Sequence, residues 1–160
     1  MLSALLLSLS ACTWYGQGSN ARKSTEITFR CGPFVSELSN AQSDIGLLLD
    51  DKLRQRIVES TDWRANDQEP RLDIQGAVLA YEVLPVVVQK GDRPSITRLR
   101  VSTRIQVTDH AGTEGAEART FSSFADIPAQ ANFAEKEDSL CQVITQSLSE
   151  DIFREMLTKW

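Results

Sequence analysis

The chain has 160 residues, 41% of them apolar and 24% charged, with 8 glycines and 5 prolines. That is one domain's worth of chain with an ordinary globular composition, which excludes a multi-domain, fibrous or wholly disordered protein. Seventeen Lys and Arg against 22 Asp and Glu leave a net charge of -5, which argues against a nucleic-acid binder, because those need broad positive fields to displace counterions from phosphates. Any anion must therefore be met locally.

Residues 1–11 hold five leucines and no charge, and run into Cys12. The stretch is too short to span a bilayer and has the length of the apolar region of a secretory signal peptide; the alternative is an apolar segment buried in the fold. Leu9, Ser10, Ala11 and Cys12 resemble the lipobox of bacterial lipoproteins. That resemblance implies cleavage before Cys12, acylation of its thiol, and a membrane anchor made of acyl chains. Thr13 after the cysteine, rather than Asp, resembles lipoproteins sent on to the outer membrane. Residues 12–24 lack apolar periodicity and read as a tether; about ten flexible residues span very roughly 15 to 20 Å.

Residues 25–31 alternate, with Ile27, Phe29 and Cys31 on one side, which predicts a half-buried strand that Gly32-Pro33 punctuates. Residues 40–60 place Ala41, Ile45, Leu48, Leu49, Leu53 and Ile57 on one helical stripe, with Ser39 and Gln42 as a capping box. A polar break at 61–70 precedes a long strand over 71–89, in which Leu72, Ile74, Gly76, Val78 and Ala80 share a face and Pro85 bends the strand or marks an edge. The cleanest alternation follows at 96–108: Leu99, Val101, Thr103, Ile105 and Val107 inward, Arg98, Arg100, Ser102, Arg104 and Gln106 outward. A hairpin loop at 109–115 leads to a fourth strand over 116–124, ended by Asp126 and Pro128. A final helix starts at Asn132 as cap, with Glu135 three residues on, and runs to Trp160 on the ladder Leu140, Ile144, Leu148, Ile152, Met156. Strand, helix, three strands, helix predicts an α+β two-layer sandwich: a four-stranded sheet with both helices on one face and the other face free.

Nothing in the sequence selects catalytic residues, a metal site or a cofactor. The single histidine, His110, sits in the hairpin loop, and no Gly-rich phosphate loop or zinc spacing is present. Cys31 and Cys141 both fall on apolar faces; in an oxidising compartment they would form a disulfide, and otherwise they are two buried thiols. The most informative cluster is basic. Lys90, Arg93, Arg98, Arg100 and Arg104 lie within fifteen residues beside one acid, Asp92, and guanidinium pairs readily with phosphate. A solubilising strand face and a set of pairs to a partner's acids are the other readings.

The lipobox at 9–12, the segments GAVLAYEVLPV (76–86), ITRLRVSTRIQVT (96–108) and FSSFADI (121–127), and the ending SLSEDIFREMLTKW (147–160) together resemble the lipopolysaccharide-assembly lipoprotein LptE family. The resemblance spans nearly the whole chain after Cys12 and implies a single LptE-like domain over 25–160. It implies a non-enzymatic outer-membrane lipoprotein, facing the periplasm and seated in the lumen of an LptD-like β-barrel, which it plugs and helps to assemble while binding lipopolysaccharide. The five basic residues are assigned to lipopolysaccharide by their clustering alone. The competing expectation is a lipoprotein accessory to another envelope lipid transporter, binding phospholipid or a periplasmic partner.

Overall fold

The computed structural model describes residues 26–36, 44–86, 96–112 and 115–158. Its elements are β1 (Thr28–Ser36), α1 (Asp44–Ser60), β2 (Arg64–Ala65), β3 (Leu72–Val86), β4 (Ile96–Asp109), β5 (Glu117–Pro128) and α2 (Phe133–Leu157). The strands form one sheet in the order β2-β1-β3-β4-β5. β1 runs parallel to β2 and β3, so α1 lies in the crossover, whereas β3, β4 and β5 form an antiparallel meander. α1 packs on β1 and β3, α2 on β5 and β4, and the two helices pack on each other. The expected sandwich is there, with five strands rather than four.

The fifth strand is β2, inside the expected polar break. It is two residues long, paired through Thr28 with Arg64 and Phe29 with Ala65, too short to carry an alternation that a sequence could display. β1 also outruns its expected end. Gly32 takes a φ of 95°, open to a residue without Cβ, and the register shifts between Cys31 and Phe34. The Gly-Pro pair therefore makes a bulge inside the strand. That shift returns Phe34 to the core side, 6% exposed, where its ring lies over the bare backbone of Gly76 and its carbonyl abuts Gly46 of α1.

β3 carries a second irregularity, between Val78 and Ala80. Leu72, Ile74, Gly76 and Val78 keep the inner face, but Ala80 is shifted outward opposite Ser102, and Tyr81, opposite Val101, packs against the core in its place. Among the described residues, the pairing of β1 with β3 runs as far as Ser36–Val78. Pro85 lies past that stretch, where its missing N–H is needed for no described ladder on that side. β5 continues through Asp126 to Pro128 instead of stopping at Phe124, since Asp126 stands opposite Arg98 and is drawn into the ladder by it.

The helices follow the expected stripes. Ile45, Leu49, Leu53 and Ile57 of α1 and Leu140, Ile144, Leu148, Ile152 and Met156 of α2 are buried. Asn132 caps α2: its Oδ1 accepts from the Ala134 N–H, and its Nδ2 donates to Glu135 Oε1. α2 ends at Leu157, capped by Thr158. Residues 1–25, with the signal segment, Cys12 and the tether, lie outside the described residues, as do Ser39, Ala41, Gln42 and Trp160.

Because a Cβ on Gly76 would enter the Phe34 ring, Gly76→Ala is expected to destabilise the fold by about 1–3 kcal/mol, the usual cost of overpacking. Urea unfolding followed by far-UV circular dichroism checks this; an unchanged midpoint would contradict the packing described.

Candidate functional site

Both helices cover the same side of the sheet, and no described element covers its other face. β4 decides what that face presents. Leu99, Val101, Thr103, Ile105 and Val107 point inward and are 0–6% exposed, which sends Arg98, Arg100, Ser102, Arg104 and Gln106 outward. Of the five basic residues expected to act together, the structure brings Arg98, Arg100 and Arg104 onto this face. Lys90 and Arg93 lie outside the described residues.

The arginines do not stand as a bare cationic strip. Arg98 Nε and Nη2 donate to the two carboxylate oxygens of Asp126 at 2.7 and 2.8 Å. Its guanidinium also lies 3.9 Å over the Phe124 ring, within the range of a cation–π contact. The Arg98 bonds hold the Asp126 carboxyl below the ordinary carboxylate range. Arg100 stands between Phe124 and Glu82 in the register and is 4.0 Å from the Glu82 carboxylate. Arg104 is exposed, between Ala77 and Thr120.

Further along the same face, Arg30 donates from Nε and Nη2 to Asp73 at 2.9 and 2.6 Å, and Gln75 Nε2 adds a bond of 3.0 Å to the same carboxylate. The middle carries small side chains: Ala80 stands beside a 2.7 Å bond between the Ser102 and Ser122 hydroxyls, and Ala77 beside Arg104 on the next outward rung. The result is a face whose arginines stand beside acids of the same chain, with Phe124 and Val35, 52% and 54% exposed, as large apolar groups. Asp126, Glu82 and Phe124 escaped the sequence reading because their role depends on strand register, which only the assembled sheet reveals.

Both remaining cysteines are free in the structure, Cys31 buried and Cys141 half-buried. Cys31 is buried against Asp50 of α1, to which its thiol hydrogen-bonds, and burial pushes its pKa up. Cys141 lies 3.8 Å from the Tyr81 hydroxyl, which itself donates to Glu137 at 2.5 Å. Burial raises this thiol's pKa too. Each thiol is engaged with a different element. His110 is exposed in the β4–β5 loop, as expected. Among the described residues no cluster of His, Cys, Asp and Glu could hold a metal, and no helix is long and apolar enough to cross a membrane.

No family model and no curated protein sequence matches the chain. Solved structures do. A minor lipoprotein from Acinetobacter baumannii superposes with a TM-score of 0.55 at 17% identity, over 84% of this chain and 95% of that one. The rare lipoprotein B from Shewanella oneidensis gives 0.55 at 11% identity, over 82% and 95%. Lipoprotein B from Nitrosomonas europaea gives 0.54 at 12% identity, over 82% and 81%. The chain shares their fold. At these identities the likeness concerns the backbone architecture and carries no residue roles with it.

The pair at Asp73 has a consequence in acid. The Arg30 hydrogen bonds lower the Asp73 pKa below its ordinary 3.8, so the unfolded chain binds this proton more readily than the folded one. The resulting stability is complete above about pH 5 and is lost as the pH falls through 3.8 toward the depressed folded value. Asp73→Asn is expected to lower the urea midpoint at pH 7 and to flatten its decline in acid. A variant that keeps the wild-type midpoint and acid profile would contradict this.

Proposed function

We propose that this chain is a lipid-anchored envelope protein, without catalytic activity, that plugs and helps to assemble an LptD-like outer-membrane β-barrel and binds lipopolysaccharide on its open sheet face. The observation that carries this reading is that face: largely polar, uncovered by any described element, and lined with arginines on one strand. Barrel lumens are polar, and a plug needs a rigid body whose exposed groups do not demand unpaired countercharge from the wall. The pairs Arg98–Asp126, Arg100–Glu82 and Arg30–Asp73 meet that demand within the chain. Lipopolysaccharide carries phosphates, for which arginine is the apt partner.

The anchor rests on the lipobox-like Leu9-Ser10-Ala11-Cys12, and the fold held in common with three bacterial lipoproteins accords with it. On this reading Cys12 is the acylated residue, the domain faces the periplasm and enters the barrel lumen, and the outer membrane is its site. Purification from cells at native expression in mild detergent is expected to co-isolate a β-barrel of much larger mass, and depletion to reduce surface lipopolysaccharide. A protein that purifies alone, and whose depletion leaves surface lipopolysaccharide intact, would contradict the proposal.

A further inference from the structure

The anion-binding fork of Arg98 is already filled. Two parallel hydrogen bonds to Asp126, at 2.7 and 2.8 Å, are the arrangement a guanidinium offers equally to a carboxylate or a phosphate. Stacking on Phe124 at 3.9 Å fixes the plane of the fork. Asp126 belongs to β5, the edge strand of the sheet, and its side chain keeps 31% of its exposure, so it can turn into water when something else takes the fork.

Arg100 lies two residues along the same face, about 7 Å away, and at 4.0 Å from Glu82 it is outside hydrogen-bonding distance of that acid. Phe124 stands opposite Arg100 and beneath the Arg98 guanidinium, and still keeps 52% of its surface exposed. We propose that Asp126 is a resident competitor on Arg98, so that this face takes a phosphomonoester-bearing amphiphile by exchange. The phosphate displaces the Asp126 carboxylate and is shared by Arg98 and Arg100, while Phe124 meets the apolar part.

The exchange favours a phosphomonoester for two reasons. It carries a charge near -2 and three acceptor oxygens, so it can engage both arginines where Asp126 engages one. A phosphodiester headgroup has a single charge and fewer free oxygens, too little to outcompete a carboxylate already in place. Asp126 therefore filters ligands: it lowers affinity for every anion and costs the weaker ones most. This inference rests on the reading that the open face meets a phosphorylated glycolipid, and it deepens that reading by naming the group recognised and the residue that sets selectivity.

The test compares the full chain with Asp126→Asn, which keeps the size of the side chain and removes its charge. Each is titrated with diphosphoryl lipid A micelles, with the same lipid after phosphatase treatment, and with phosphatidylglycerol vesicles. Asp126→Asn is expected to bind diphosphoryl lipid A several-fold tighter than wild type. Dephosphorylated lipid A should show no difference, and phosphatidylglycerol should gain more than lipid A, so that the selectivity between the two narrows. Arg98→Gln combined with Asp126→Asn should lose the gain. Glu82→Gln, which frees Arg100 from the other side and leaves β5 untouched, should give a smaller gain in the same direction.

Three results would overturn the inference: Asp126→Asn binding diphosphoryl lipid A no tighter than wild type, a gain that survives loss of Arg98, or a selectivity for lipid A over phosphatidylglycerol that does not narrow. Failure of the underlying function shows elsewhere, as a wild-type protein that purifies without a barrel while the Asp126→Asn gain persists.

Discussion

The strict two-residue alternation along β4 is the constraint on which the rest of the structure depends. β4 is the strand shared by both antiparallel pairs of the meander, β3–β4 and β4–β5, and its inner residues floor the core beneath α2. One residue of slip would drive Arg98, Arg100 and Arg104 into the core and Leu99, Val101 and Ile105 into water, so the register is fixed by burial. β3 and β5 align to it, and the bulge between Val78 and Ala80 adjusts β3 to β4.

From that alternation follows the character of the open face. With both helices on one side, nothing within the described fold covers the other, and its polar groups find partners across strands. Arg98 meets Asp126, Arg100 approaches Glu82, Ser102 meets Ser122, and Arg30 meets Asp73. Of these, the pairs exposed on both sides contribute little to stability, whereas Asp73, 6% exposed, is buried. On the proposed reading the effect of the pairs is on recognition: they would keep a face with several arginines from acting as an indiscriminate anion trap and leave its guanidinium groups oriented.

Much of this fold is legible in the sequence because the signals are periodic. The β4 alternation, the every-fourth-residue ladder Leu140, Ile144, Leu148, Ile152, Met156, and the Asn132 cap with Glu135 each carry their own mechanism, and each stands in the structure. What the sequence hides is cross-strand and local: β2 is two residues long, Gly32-Pro33 bends β1 into a bulge instead of ending it, and Asp126 prolongs β5 because Arg98 stands opposite. The site divides in the same way. The three arginines of β4 are visible from spacing, whereas Asp126, Glu82 and Phe124 become part of the site only through register, which no single strand encodes.

The central claim is that the open sheet face, not the helical face, meets the phosphorylated glycolipid. Site-specific photo-crosslinking in living cells tests it most directly, with the photoreactive residue placed at Gln106 or Thr120 on the open face and at Gln55 or Gln142 on the exposed sides of α1 and α2. Adducts carrying lipopolysaccharide are expected from positions 106 and 120 and not from 55 or 142. Lipopolysaccharide adducts from the helix positions alone would contradict the claim.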